Sequence, residues 1–577
     1  MNIPKVPHRL FMVWPWLRCY GRSVLAADAV AAAVVTLLLI PQALAYALLA
    51  GMPPVTGLYA SVLPLLVYAV MGSSMSLAVG PAALRSIMSM AAVAAVVAPG
   101  TASFVVVSGV LALMVGGLLL LMGLLRMGFV AGFLSHPVLA GFVTASGLLI
   151  GMSQLGHLMG VQLPLSNVWV FAHTLWGQAT QVHGLTLLVG LAAWAALAWG
   201  PRFVSAVLKG GWLKEALTKA WPLWVMLMAM GASVVAGWAA QGVAVVGHIP
   251  QGLPALALPL LSEVPASVWG ALLLPAVLIA LLTFVEQVSV AQTLAARRRE
   301  KVDVNAEMRA MGGANVAAGL SGAFAVGASF SRSVVAHQAG AQTPMAGLLT
   351  ALLVLGVALW LTPVLHHLPL AVLAAIILVA IGGLLDWRSF AKTWRYSKAD
   401  FAAQSLTFGV TLGVDLVSGL MAGVVASLML HIWHSSRPHI ATVGNVPGTE
   451  HYRNVLRHAV TTQPHVLGLR PDESLFFANA RFLEDHVANA IAQQPQVRHV
   501  VLQCTAVNDI DASGLQSLEV IQQRLQDTGV ALHLSEVKGP VMDRLQGTDF
   551  LKGLTGQVFL THHQAVQALD SEASQAP

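Results

Sequence analysis

Ala78-Val79-Gly80-Pro81-Ala82-Ala83-Leu84-Arg85-Ser86 and Ala325-Val326-Gly327-Ala328-Ser329-Phe330-Ser331-Arg332-Ser333 read almost alike. Each lies in a very hydrophobic half of the chain, and each sets helix-breaking or permissive residues, with serine close by, at membrane depth. Backbone polar groups in lipid must be satisfied internally, so irregular chain there is buried in protein or lines a cavity. A matched pair of Gly/Pro-interrupted segments, one per half, points to a transport site between inverted halves.

The surrounding composition agrees. Of 577 residues, 57% are hydrophobic and only 9% charged, against roughly 25% charged in a soluble domain. Apolar stretches recur from about residue 24 to about 434, and many exceed the roughly 18 residues that mark a membrane helix. The stretch after about 437 is richer in Gln, Asp, Arg and His, and its apolar runs shorten to strand length. We therefore expect a cytoplasmic tail over 1–22, a transmembrane domain over 23–436, a linker over 437–450 and a soluble domain over 451–577. Lys5, Arg9, Arg18 and Arg22 precede a long apolar run with no convincing small-residue cleavage site, which reads as an uncleaved first helix. Cys19 and Cys504 lie in different regions and imply neither disulfide framework nor metal site. The formal charge of +6 suits loops facing anionic lipid, with no nucleic-acid partner expected.

Basic residues collect in cytoplasmic loops. Here they cluster at the N-terminus and, after even-numbered segments, at Arg126, at Arg202 to Lys219, at Arg297-Arg298-Arg299 with Lys301, and at Arg388 to Lys398. The connections between hold almost no Lys or Arg. Fourteen segments follow, with both termini inside; the stretches around 167–179 and Asp415 leave the count open by two, but not its parity. Fourteen splits into seven plus seven, and an odd number per half forces the halves into opposite orientations. The two related motifs are then the third segment of each half.

Proline fits the first turn of a helix, where its missing N–H is unpaired anyway. A half-helix over 81–98 is expected after extended Leu77 to Gly80. Ser329 or Ser331 would cap a second half-helix reaching about Gln342. Inverted symmetry points the two N-termini at each other, and free N–H groups with partial positive charge make an anion site there. Arg332 adds a full positive charge that lipid-facing helices avoid. The competing reading is a simple kink at Gly80-Pro81 with Arg332 reaching the interface. Arg85, one turn into the first half-helix, points at the site, pairs with a carboxylate or reaches an aqueous face. Segment 1 contributes Gln42 and Tyr46, both potential donors, although an interhelical bond alone would account for Gln42. Segment 8 carries Glu286, and an intramembrane acid is a functional hypothesis by default, with a structural partner role as the alternative.

Gly51-Met52-Pro53-Pro54-Val55-Thr56-Gly57-Leu58-Tyr59 resembles the "GLPPVYGLY" signature of the sulfate permease (SulP) family of anion transporters, with Thr56 where Tyr is usual. The segment Ala78 to Pro81 with Ser86-Ile87-Met88 resembles its "SVGP…SLM", Phe284-Val285-Glu286 its "FVE", and Ser329 to Ser333 with Gln338 to Pro344 its "SFSRS…QAGARTP". Arg85 replaces a residue usually small or apolar. The resemblance implies two inverted sevens divided into core and gate domains, an elevator-like motion, and a homodimer in the inner (plasma) membrane. It also implies that Gln42, Tyr46, Gly80, Pro81, Ala82, Ser329, Phe330, Ser331 and Arg332 bind a small inorganic anion beside Glu286. Substrates in the family include sulfate, bicarbonate, chloride and dicarboxylates, with proton, sodium or no coupling. Sulfate with proton coupling through Glu286 is the expectation here, because no cage of oxygen ligands for sodium is legible; an anion sensor signalling through the tail is the alternative of another class.

In the tail, 466–469, 474–477, 497–503 and 531–537 read as strands, and 478–493, 513–525 and 540–545 as helices, an alternation that argues for an α/β sheet. Leu475-Phe476-Phe477-Ala478-Asn479-Ala480 and Asp511-Ala512-Ser513-Gly514-Leu515 resemble the STAS domain. Ser513 occupies that family's phosphorylation position, and a helix-capping role is its alternative. No Gly-x-x-x-x-Gly-Lys-Ser/Thr loop occurs, so neither ATP-driven pumping nor an enzyme activity is expected, and no cofactor.

Overall fold

The computed structural model describes residues 20–575 except 76, 130–134, 162, 164–167, 208–213, 215–216, 219, 248–250, 254–263 and 299–301, and the backbone alone at 179, 296–298 and 572–575. Most of the expected N-terminal tail, with Cys19, and Lys209, Lys219, Arg299 and Lys301 of the basic clusters lie outside the described residues. The chain divides into two compact units, Met1–Ser427 and Leu428–Pro577.

Among the described residues, fourteen segments follow one another: Arg22–Leu49, Pro54–Met71, strand β1 (Val79–Gly80) with helix Ala83–Ala94, Ala102–Leu124, His136–Met159, Gly184–Val207, Trp221–Ala236, Ala266–Arg298, Val304–Leu320, strand β2 (Gly327–Ala328) with helix Phe330–Gln338, Met345–His367, Leu370–Ile381, Lys398–Gly413 and Leu416–Ser436. Both ambiguous stretches resolve. Val168–Gln178 is a short extra helix with Trp169 and Trp176 largely exposed. Asp415 separates segments 13 and 14, accepting from the Ser418 N–H and hydroxyl at 2.9 and 2.6 Å. Eight segments are long and apolar enough to span unaided. Segment 9, at 17 residues, is not among them, and it buries Glu307 and Asn315.

Packing sorts the segments into two groups. Segments 1–4 and 8–11 pack on one another, and so do 5–7 with 12 and 13. Segment 1 touches 12 and 7, and segment 3 touches 5, across the boundary. The tightest pair is 4 against 9. Gly109, Gly116 and Gly123 recur every seven residues; the first two face Gly319 and Gly312, and Gly123 faces Arg309 and Asn305: a Cβ on Gly116 would lie 2.6 Å from the Val316 nitrogen, and one on Gly319 2.6 Å from the Gly109 oxygen. Without a hydrophobic force between helices in lipid, such small-residue faces supply the packing. In segment 14, a Cβ on Gly423 would fall 2.5 Å from both Thr407 and Val138, which ties it to segments 13 and 5.

The second unit is a six-stranded sheet in the order β4-β3-β5-β6-β7-β8, where β3 is Ile440–Asn445, β4 Tyr452–Asn454, β5 Val466–Pro471, β6 His499–Gln503, β7 Ala531–Ser535 and β8 Val558–Phe559. Strands β5 to β8 are parallel, whereas β3 and β4 are antiparallel additions. The run Val500-Val501-Leu502 is buried on both faces, as parallel strands require. Helices Ala480–Gln493, Ala512–Asp527 and Gly539–Gln546 bury Leu483, Val487, Ile521, Leu525 and Val541 against one face. Helix His562–Gln575 covers part of the other through Ala565 and Leu569. Two local readings change. The stretch 474–477 forms a single bridge, Leu475 to Ile510, instead of a strand, because the chain turns there to reach the Asn479 region: the Phe476 N–H donates to Asn479 Oδ1 at 3.0 Å. The sheet also starts within 437–450, since β3 pairs Ile440 with Pro471 and Thr442 with Leu469.

Candidate functional site

The two motifs meet. β1 pairs antiparallel with β2, Val79 opposite Ala328 and Gly80 opposite Gly327. The ladder is extended by the Ser329 N–H donating to the Ala78 carbonyl at 3.0 Å and the Ala78 N–H donating to Ser333 Oγ at 2.8 Å. A two-residue ladder at membrane depth is the interior satisfaction that broken backbone needs. Because the strands are antiparallel, the helices that follow leave in opposite directions with their N-termini at the ladder.

The helix boundaries differ from expectation. The first half-helix spans Ala83–Ala94, so Pro81 precedes it and Ala82 is the N-cap, extended at φ −145°. The second spans Phe330–Gln338 with Ser329 at the N-cap position. Neither N-cap makes a side-chain capping bond. Ser329 Oγ lies instead 3.3 Å from Ser331 Oγ. Neither N-cap side chain therefore satisfies the first-turn N–H groups of its helix, and uncapped helix N-termini of this kind favour anions.

Arg332 stands between the motifs, 1% exposed. Its Nη1 donates to Gln42 Oε1 at 3.1 Å and its Nη2 to the Pro81 carbonyl at 2.8 Å, and its Nε has no partner. Burial and these bonds exclude the snorkelling alternative. Tyr46 is buried one turn beyond Gln42, on the same helix face. Gly80 takes φ +147°, which L side chains rarely adopt, and its backbone lies against the Arg332 guanidinium. Phe330 and Ser331 stand outside this cluster, both exposed, the Phe330 ring at 53%.

Of the three destinations open to Arg85, the structure selects the carboxylate. Arg85 is 1% exposed; its Nη2 donates to Glu286 Oε2 at 2.6 Å, Nε to Thr283 Oγ1 at 3.0 Å and Nη1 to the Ala328 carbonyl at 3.3 Å. Glu286 keeps 23% of its side chain open. The guanidinium lies flat on Gly327, where a Cβ would fall 2.2 Å from its Cζ.

Segment 9 holds both broken stretches from behind, which the sequence did not disclose. Glu307, fully buried, accepts from Tyr68 Oη (2.8 Å), Ser73 N–H and Oγ (2.8 and 2.6 Å), Ser74 N–H (2.8 Å) and Gln287 Nε2 (2.7 Å), fixing the chain that leads into β1. Two turns on, Asn315 donates to the Val326 carbonyl at 3.1 Å and accepts the Val326 N–H at 2.9 Å, fixing the chain that leads into β2. On segment 1, Asp28 is buried and accepts the Gln342 and Thr343 N–H groups at 2.7 and 3.2 Å. The rule that flags Glu286, an acid at membrane depth, would also have found Glu307.

In the tail, Ser513 does not cap its helix. Asp511 does, accepting the Gly514 N–H at 2.8 Å and the Phe477 N–H at 3.0 Å. Ser513 is left half-buried in the first turn. Burial pushes the Cys504 thiol up to about 12, so it is inert at neutral pH. Burial pulls His562 down to about 4; burial, with His499 adjacent, does the same to His533.

Comparison with known proteins finds similar sequences and similar folds. The model of the Sulfate permease family matches residues 25–403, and that of the STAS domain residues 457–565. The chain is 31% identical to "Sulfate transporter 4.1, chloroplastic" of Arabidopsis thaliana, covering 97% of this chain and 82% of that one. It is 32% identical to "Probable sulfate transporter Rv1739c" of Mycobacterium tuberculosis, covering 96% of each. Among solved structures, the murine Slc26a9 anion transporter in the inward-facing state aligns with TM-score 0.88 at 23% identity, over 99% of this chain and 96% of that one. The transmembrane domain of the cyanobacterium bicarbonate transporter BicA aligns with TM-score 0.60 at 21% identity, over 71% and 98%.

Proposed function

This chain belongs to the sulfate permease family, and from that premise we propose that it is a secondary transporter of small oxyanions, sulfate first among them. The observation that carries the reading is the pair of uncapped helix N-termini at one two-residue ladder, with the buried Arg332 between them and its Nε unpartnered. Helix N-termini and a guanidinium recognise oxyanions through N–H donors and positive charge, without a metal.

Charge counting supports a dianion moving with a proton. Arg85, Arg332 and Glu286 sum to +1, a dianion takes the site to −1, and one proton on Glu286 restores neutrality. A net charge at membrane depth is costly, so anion and proton binding favour each other, reciprocally. The binding groups all stand on segments 1, 3, 8 and 10, within one packing group, and segments 1 and 3 touch the other group. Sliding that group as a body would carry the site across the membrane, an elevator-like motion. We place the protein in the inner membrane as a homodimer with both termini cytoplasmic, consistent with Arg126, Arg202, Lys214 and Arg388 to Lys398 following even-numbered segments.

Uptake of labelled sulfate into proteoliposomes, with bicarbonate, chloride, fumarate and oxalate as competitors, tests the substrate. Saturable uptake blocked best by unlabelled sulfate is expected. Uptake blocked best by bicarbonate or a dicarboxylate moves the substrate assignment within the same site. No uptake of any of them rejects transport in favour of sensing.

A further inference from the structure

We propose that Arg85 is a tethered cation: its guanidinium permanently fills the oxygen-lined place beside Glu286 that a coupling sodium ion would need, and so makes anion transport by this chain independent of sodium. The inference rests on the transport reading above and deepens it by excluding one coupling ion.

The three oxygens around the guanidinium are a hydroxyl (Thr283), a carboxylate (Glu286) and a backbone carbonyl (Ala328), at 3.0, 2.6 and 3.3 Å from three different nitrogens. Two come from segment 8 and one from the unwound stretch before the second half-helix. Hard oxygens of this kind, including carbonyls of unwound backbone at mid-membrane, are the ligands by which transporters hold alkali cations. Here each faces a guanidinium nitrogen instead. The space is closed as well as occupied: Arg85 is 1% exposed, and Gly327 forms its floor with no room for even a methyl group. A second cation in the same cage would sit beside a buried, permanently charged guanidinium, and the like-charge repulsion opposes it. The proton remains compatible, because Glu286, unlike Arg85, keeps 23% of its side chain open. Arg85 also gives the residue choice a physical reason, since a small side chain at 85 would leave Glu286 without a cation and the Thr283 and Ala328 oxygens free.

The test exchanges sodium for N-methyl-D-glucamine at fixed pH and zero membrane potential, using the full-length protein. Wild-type sulfate uptake should be the same in both media. Arg85→Ser opens the cage; its uptake should fall about tenfold in sodium-free medium, the effect of one lost charge-assisted contact, and recover when sodium on the order of 0.1 M, saturating for a weak site, is restored. A second readout needs no transport. Sodium should raise the melting temperature of Arg85→Ser in detergent, but not that of the wild type or of Arg85→Ser/Glu286→Gln, which lacks the carboxylate. Arg85→Asn serves if Arg85→Ser does not fold. A wild type whose uptake or melting temperature depends on sodium overturns the proposal, and so does an Arg85 variant as indifferent to sodium as the wild type in the melting readout. A wild type that carries no anion would reject transport, while the melting readout would still decide the role of Arg85.

Discussion

Replacing Gly327 with alanine adds one methyl group where the Arg85 guanidinium now lies. The new Cβ would stand 2.2 Å from both Cζ and Nε, and 2.7 Å from Nη2, whereas the lower bound of ordinary contact is 3.4 Å. The guanidinium or the strand must therefore yield by about 1.2 Å (3.4 minus 2.2). Arg85 holds Glu286, Thr283 and the Ala328 carbonyl at 2.6, 3.0 and 3.3 Å, so a shift of that size breaks at least one of these bonds. Bonds to charged groups contribute about 1.5–3 kcal/mol each, so stability in detergent should fall by roughly one such bond. Gly327 does not have a positive φ, so alanine suits its backbone, and the three nearest clashes of the new Cβ are all with Arg85. That makes a double-mutant cycle decisive. In an Arg85→Ser background the same alanine should cost little, with a coupling in the 0.5–3 kcal/mol range of contacting residues. Thermal melting of the four purified proteins, with sulfate uptake alongside, provides the assay. Equal costs of Gly327→Ala in both backgrounds would refute the packing of Arg85 on Gly327 and the cage built on it.

Arg332→Ala should leave a folded protein whose anion affinity, measured by binding of labelled sulfate, is roughly ten- to hundredfold weaker, the worth of one charge-assisted contact; unchanged affinity for every transported anion would remove Arg332 from the site. Glu286→Gln should retain anion exchange but lose acceleration by an inward proton gradient, and a gradient response equal to wild type would clear Glu286 of coupling. Chains ending near residue 437 should still purify as folded membrane domains, because the sheet begins only at Ile440; aggregation of every such chain in detergent would make the tail part of the membrane core. His533 and His562 are held near 4 when folded, below the ordinary value of about 6.5. Their contribution to tail stability is therefore complete above about pH 6.5 and is lost as pH falls towards 4, since the unfolded chain takes up protons first. Urea melts of the tail at pH 7.5 and 4.5 should show that loss, and His562→Gln should reduce it.

The fold was legible because its signals are additive over long stretches: apolar length, the parity of the basic clusters and two Gly-containing breaks at matching places. The cluster proposed as the anion site was legible in its residue types, since Gly80, Arg332 and Gln42 do converge. Its supports were not. Asn315 takes part by pairing both polar groups of one backbone residue eleven positions on, a role no periodicity announces, and Glu307 by collecting hydroxyl, amide and backbone donors that are far apart in sequence. The choice of Arg85 among three destinations depended on which oxygens segment 8 presents at Thr283 and Glu286, which only the packing of segments 3, 8 and 10 settles. Ser329 was read as a cap from residue type alone; at the ladder its N–H is committed to Ala78 and its hydroxyl lies against Ser331. Strand β3 hid in a stretch of mixed polarity, because an added antiparallel strand is buried on only part of its length.

In the proposed site the anion sits between the two half-helix N-termini. A structure determined with selenate, whose anomalous signal marks the ion, tests it most directly. One selenate is expected within hydrogen-bond distance of first-turn N–H groups of Ala83–Ala94 and of Phe330–Gln338, next to the Arg332 guanidinium and absent in Arg332→Ala. Selenate bound elsewhere in the membrane domain, or unmoved by Arg332→Ala, would contradict it.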